Sequence, residues 1–119
     1  MLLTVDVLLQ IMLNSLMKFY DFEADYNLNL MSSAASLHDL YSQVIREIGD
    51  IIQGVQLDLV IVHGDRVEAL AVAMFCAINY VRCAHIEGGE VSGTIDEIYR
   101  HCITKLSRYH FVSSDQAAK

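Results

Sequence analysis

Two short segments of this chain end in the same chemistry. One reads His63-Gly64-Asp65-Arg66 and the other His85-Ile86-Glu87-Gly88. Each delivers a histidine and then, two residues later, an acid. A third carboxylate, Asp96, follows a glycine-rich GGEVSG stretch. Carboxylates crowded around one crevice acquire divergent proton affinities, so one can serve as base while another holds a proton. Three of them suit proton abstraction from carbon, or the elimination and addition of water.

Each residue also has a plainer reading. Asp65 can cap the helix that follows it. Thr94-Ile95-Asp96-Glu97 fits a T-x-x-E capping box, which gives Glu97 to the helix start and leaves Asp96 free to act. Glu68 and Glu90 read as solvated, and His38 and His110 as structural. His63, His85 and a carboxylate have the donor types of a zinc site. Neither histidine sits in an H-x-x-x-H pair, so hydrogen bonding in the core or at the rim is expected instead, with no metal. GGEVSG can expose backbone N–H groups to a phosphate. Glu90, Asp96 and Glu97 would repel an anion there, so the stretch is expected to be a flexible active-site loop. Arg66 and Arg100 are the expected anion partners.

Something must hold these groups together, and the hydrophobic pattern says what. Leu57 to Val62 (LDLVIV) is a continuous apolar, β-branched run, which predicts a strand buried on both faces of a parallel sheet. Arg66 to Tyr80 has helical length and is apolar nearly all round, so it is either sandwiched or part of an oligomer interface. Val81 to Ile86 is a second strand, completing a βαβ unit. A helix from Thr94 to about Ser107 and a strand at Tyr109 to Val112 follow. The two His-x-acid segments thus fall at the carboxyl ends of neighbouring strands, where open α/β sheets bind ligands.

Upstream, residues 32–54 predict a helix. Ser36 is its candidate N-cap, Asp39 a weak capping-box partner, and Gly54 its stop. Leu37, Leu40, Tyr41, Val44, Ile45, Ile48, Ile51 and Ile52 form its apolar stripe. Leu2 to Leu13 is apolar and fits a strand or a helix equally well. Asp21, Glu23 and Asp25 read as an exposed acidic connection.

The chain has 119 residues, 54% of them hydrophobic, and no proline. This is one α/β unit rather than two domains or a disordered chain. With 8 Lys+Arg against 15 Asp+Glu the net charge is −7, which argues against a nucleic-acid binder. Cys76, Cys83 and Cys102 lack CxxC spacing and read as buried hydrophobes in a reducing, cytoplasmic setting. No apolar stretch is long enough to span a membrane. Asp6 interrupts the apolar N-terminus and no cleavage pattern follows, so no signal peptide is expected.

LDLVIVHGDRVEALAVA and HIEGGEVSGTIDEIYRHCITKLSRYHF resemble the UDP-N-acetylglucosamine 2-epimerase family, and more narrowly its hydrolysing branch of the sialic-acid pathway. The resemblance is strong over 57–113 and weak over 22–56; residues 1–21 remain unassigned. It implies a Rossmann-like parallel sheet forming part of the N-terminal domain of a two-domain, GT-B-type epimerase. It implies elimination of UDP from UDP-N-acetylglucosamine, or from a related UDP-sugar, and then hydration to N-acetylmannosamine. The family's catalytic carboxylates fall on Asp65, Glu87 and Asp96. His63, Arg66, His85, Arg100 and His101 are implied to bind substrate, with no metal or other cofactor. A homo-oligomer is implied for the full-length enzyme. Because family members are much longer, the 119 residues alone are expected to be inactive. The alternative is a non-catalytic α/β domain acting as a dimerisation or interaction module.

Overall fold

Alternating β-branched runs and helical stripes fold into parallel strands joined through helices. The computed structural model describes residues 3–6, 17–21, 23–29, 36–52 and 55–118. Five strands and three helices are named within it: β1 (Leu3–Asp6), β2 (Tyr26–Asn29), α1 (Leu37–Ile52), β3 (Val60–His63), α2 (Val67–Ile78), β4 (Cys83–Ile86), α3 (Ile95–Leu106) and β5 (Tyr109–Phe111). β1 and β2 pair in parallel, with Val5 opposite Leu28. β3, β4 and β5 form a second parallel set in that order.

The helices behave as their patterns require. Ser36 caps α1 by accepting the Asp39 N–H at 3.2 Å, and its hydroxyl donates to the Asp39 carboxylate at 2.7 Å. Leu40, Val44 and Ile48, four residues apart, are the buried stripe of α1. The expected stop at Gly54 lies outside the described residues. α2 is sandwiched: it packs against α1 and α3 and lies over β3 and β4. Small buried residues, Ala69, Ala71, Ala73 and Cys76, permit that close approach.

Asn79 closes α2, its N–H and side-chain amide both donating to the Phe75 carbonyl at 3.1 and 2.8 Å. Tyr80 then takes a left-handed backbone, φ +59°, and the Val81 N–H returns to the Cys76 carbonyl at 2.9 Å. This is a Schellman ending with tyrosine where glycine is usual.

Two expectations need correction, the strand from Leu57 and the solvated Glu68. The strand predicted from Leu57 begins only at Val60, and just Val62 within β3 is buried; Ile61 is 59% exposed. In the described sheet β4 is the central strand, so β4 rather than β3 carries the buried Cys83, Ala84 and His85. Part of the apolar N-terminus is strand β1, and the acidic connection gives way to strand β2, whose Leu28 joins the core with α1 and α2. Glu68, read as solvated, is 7% exposed in the first turn of α2.

Candidate active site

Parallel register sets the carboxyl ends of β3 and β4 side by side. His63 stands opposite Ile86, and the Gly64 N–H donates to the Ile86 carbonyl at 3.1 Å. One step on, His63 Nε2 lies 2.9 Å from Glu87 Oε2, both side chains largely exposed. Glu87 itself has left-handed backbone, φ +66°. That conformation costs a residue with a Cβ about 1–2 kcal/mol and persists only where its surroundings impose it. Here the Glu87 N–H is tied to the Phe111 carbonyl of β5 at 2.9 Å. The strain aims one carboxylate outward at the end of the central strand.

Asp65 is held from the other side. Its Oδ2 pairs with Nη2 of Arg100, while Arg100 Nη1 donates to the Glu90 carbonyl at 2.6 Å. The Arg100 side chain is 8% exposed, so its charge is turned inward. It joins the turn after β3 to the loop after β4 and offers no free face to an anion. The capping alternative for Asp65 fails, because Arg66 is the N-cap of α2 and no side chain caps that end. Arg66 is half-exposed, with Nε 2.7 Å from Glu68 Oε1; the other Glu68 oxygen is buried without a partner.

His85 is fully buried. Its Nε2 lies 2.8 Å from the Gly64 carbonyl and its Nδ1 3.2 Å from Thr104 Oγ1. Burial pushes its pKa below the usual histidine range, and the charges of His110 and Arg100 act in the same direction. With both ring nitrogens engaged, His85 is not available to the zinc arrangement considered above. His63 and His85, alike in sequence, therefore differ in kind: one is at the rim and one is beneath it.

The GGEVSG loop is pinned rather than open. Glu97 Oε2 accepts the Gly93 N–H at 2.6 Å and the Ser92 N–H at 3.1 Å. These N–H groups, with the charges of His101 and Arg100, hold the Glu97 carboxyl below the usual range. Glu97 thus fills the position where a phosphate would sit. It reaches past Thr94, because the positive-φ turn at Gly93 presents two N–H groups closer to hand. Glu90, read as solvated, is exposed and accepts the Ser113 hydroxyl at 2.5 Å.

Asp96, half-buried in the first turn of α3, accepts the Thr94 hydroxyl at 3.3 Å. Arg100 follows one turn later on the same helical face, and Thr104 one turn after that. His101 is exposed. The structure therefore joins His63 to Glu87, Asp65 to Arg100, and His85 to the Asp65 turn. Asp96 lies one turn before Arg100 on α3 and contacts Thr94, and Arg66 faces Glu68. Thr104 and the buried Glu68 were missed. The four-residue spacing of Asp96, Arg100 and Thr104, which puts three polar side chains on one face of α3, was the available signal for Thr104.

Comparison with known proteins bears on this arrangement. The UDP-N-acetylglucosamine 2-epimerase family profile matches residues 4–119. A UDP-N-acetylglucosamine 2-epimerase of Neisseria meningitidis serogroup B is 51% identical over 63 residues, 53% of this chain and 17% of that protein. A UDP-N,N'-diacetylbacillosamine 2-epimerase (hydrolyzing) of Legionella pneumophila is 48% identical over 58 residues, 49% of this chain and 15% of that protein. The crystal structure of UDP-GlcNAc 2-epimerase from Neisseria meningitidis bound to UDP-GlcNAc superposes with a TM-score of 0.85 at 25% identity. It covers 92% of this chain and 31% of that one. The chain thus spans less than a third of the length of these proteins. Its parallel sheet and flanking helices are part of a Rossmann-like, GT-B-type arrangement. On the match across nearly its whole length, the chain belongs to the UDP-N-acetylglucosamine 2-epimerase family.

Proposed function

We propose that these residues contribute the catalytic carboxylates of a hydrolysing UDP-N-acetylglucosamine 2-epimerase. The reaction converts UDP-N-acetylglucosamine and water to N-acetylmannosamine and UDP. A carboxylate takes the C2 proton as the C1–O bond to UDP breaks, leaving a 2-acetamidoglucal. Water then adds at C1 and a proton returns to C2 on the opposite face. Every step is a proton transfer or a C–O exchange, so the chemistry calls for carboxylates and cations rather than a redox group.

The carrying observation is the pair of acids on adjacent parallel strand ends, Asp65 held by Arg100 and Glu87 beside His63. In this reading Asp65 or Asp96 handles the C2 proton, and Glu87 assists at the sugar hydroxyls or in hydration. Arg66, whose guanidinium is held through Nε alone, presents its remaining N–H groups to the diphosphate. His63 and His101 line the rim, while His85 and Arg100 support the site from beneath. The hydrolysing outcome is supported by the Legionella relative, whose name specifies it. That name also favours a second substrate, a UDP-diacetamido sugar. A cytoplasmic homo-oligomer is part of the proposal. Among the described residues no helix is long and apolar enough to cross a membrane.

The test is a chimera in which this chain's matching residues replace the 63 aligned residues of the serogroup B relative. Release of free UDP with N-acetylmannosamine is expected. Asp65→Asn and Glu87→Gln should each lower turnover at least about 100-fold. A UDP-linked product would contradict the hydrolysing assignment, and full activity in both variants would remove the carboxylates from the chemistry.

A further inference from the structure

We infer that Thr104 is a positioning residue, whose hydroxyl sets the buried His85 ring as the strut beneath the Gly64–Asp65 turn. Only the catalytic meaning of that turn rests on the proposed role of Asp65. The geometry stands by itself.

His85 has no exposed surface, so it can influence a sugar only through what it holds. It holds the Gly64 carbonyl, 2.8 Å from Nε2. A carbonyl oxygen only accepts, so Nε2 must carry the proton. A neutral imidazole then has Nδ1 as a bare acceptor, which needs a donor in a buried site. Thr104 Oγ1, 3.2 Å away, is that donor. A helical threonine usually turns its hydroxyl back to a carbonyl one turn earlier. Here the hydroxyl faces the ring instead.

The charged and titratable groups acting on His85 are Asp65 and Arg100 at the site and His110 on β5, directly opposite His85 in register. Two of the three are cationic or become so on protonation, which favours the neutral ring that Thr104 requires.

A second contact makes the arrangement specific. A Cβ at Gly88 would lie 2.9 Å from His85 Nδ1 and 3.0 Å from Thr104 Oγ1. The backbone after β4 is therefore moulded onto the same His85–Thr104 pair as the turn after β3. One side-chain pair sets the approach to both strand-end acids, Asp65 on one side and Glu87, next to Gly88, on the other. Without the hydroxyl, the proton can move to Nδ1. The Nε2 lone pair would then face the Gly64 carbonyl oxygen, and the strut would repel what it now holds.

The test is nitrogen-15 NMR of the histidine rings and backbone amides in the 119-residue chain. The wild type should show His85 as a single neutral tautomer with the proton on Nε2. Thr104→Val, similar in shape but without the donor, should lose that single tautomer and shift the Gly64, Asp65 and Gly88 amides. Thr104→Ser should restore both signals. A wild-type ring protonated on Nδ1 overturns the inference even if the valine variant does not fold. So does a folded Thr104→Val chain with an unchanged ring and unchanged turn amides. Unimpaired turnover of Asp65→Asn in the chimera would instead remove the role of Asp65 and leave this result standing.

Discussion

Arg100 and Asp65 form an ion pair across two chain segments, the arginine on α3 and the aspartate in the turn after β3. The same guanidinium donates to the Glu90 carbonyl, so one buried cation fixes the turn after β3 and the loop after β4. Replacing it by methionine keeps the apolar stem and removes both donors. Arg100→Met should destabilise the chain by about 2–4 kcal/mol, toward the lower part of the range for a broken buried pair because Asp65 keeps some contact with water. Arg100→Lys should recover little, since an ammonium is a point charge and cannot replace a planar fork that reaches two acceptors. Urea unfolding of the three chains measures this, and a lysine variant as stable as wild type would deny the bridging role.

Tyr80 ends α2 in a left-handed conformation and is 96% exposed, so its side chain contributes almost no packing. Tyr80→Gly should therefore stabilise the chain by about 0.5–1 kcal/mol, because relief of backbone strain outweighs the entropy cost of a more flexible unfolded state. Thermal or urea unfolding reads the sign directly. A loss of stability would mean that the ring is held by something the backbone geometry does not express.

His85 gives the stability a definite pH dependence. Its folded-state pKa lies below the ordinary value of 6.5, chiefly through burial. The unfolded chain therefore binds the proton more readily, and stability rises with pH while the two states differ. The contribution of His85 is complete above about 6.5 and is lost as pH falls below it. In His85→Gln that part of the slope should disappear between pH 6.5 and 5, leaving the dependence due to other groups. Denaturant midpoints over this range provide the comparison; an unchanged slope would place the His85 proton elsewhere.

Much of this was legible in the residues. The spacing of Leu40, Val44 and Ile48 specifies α1, and Ser36 with Asp39 specifies its start. The strand ends were legible because each short apolar segment runs into glycine, at Gly64 after one and at Gly88 after the other. What periodicity cannot carry is which of two similar residues is covered. His63 and His85 stand alike in their motifs, but the strand register sets His63 beside Ile86 and His85 beside the buried Val62, so the two side chains leave opposite faces of the sheet, one exposed and the other buried. The Glu97 interaction was hidden for a related reason. A capping box assumes a regular entry to the helix, and the turn at Gly93 brings other N–H groups nearer. β2 was missed because Tyr26–Asn29 is too short and polar to register as a strand until it pairs with β1.

Turnover of UDP-N-acetylglucosamine by the chimera in deuterium oxide, with its Asp65→Asn counterpart alongside, tests the proposed chemistry most directly. Elimination followed by hydration predicts free UDP and N-acetylmannosamine carrying deuterium at C2, with the Asp65→Asn rate lower by at least about 100-fold. A product still bound to UDP, protium retained at C2, or an undiminished rate in the Asp65 variant would each contradict it.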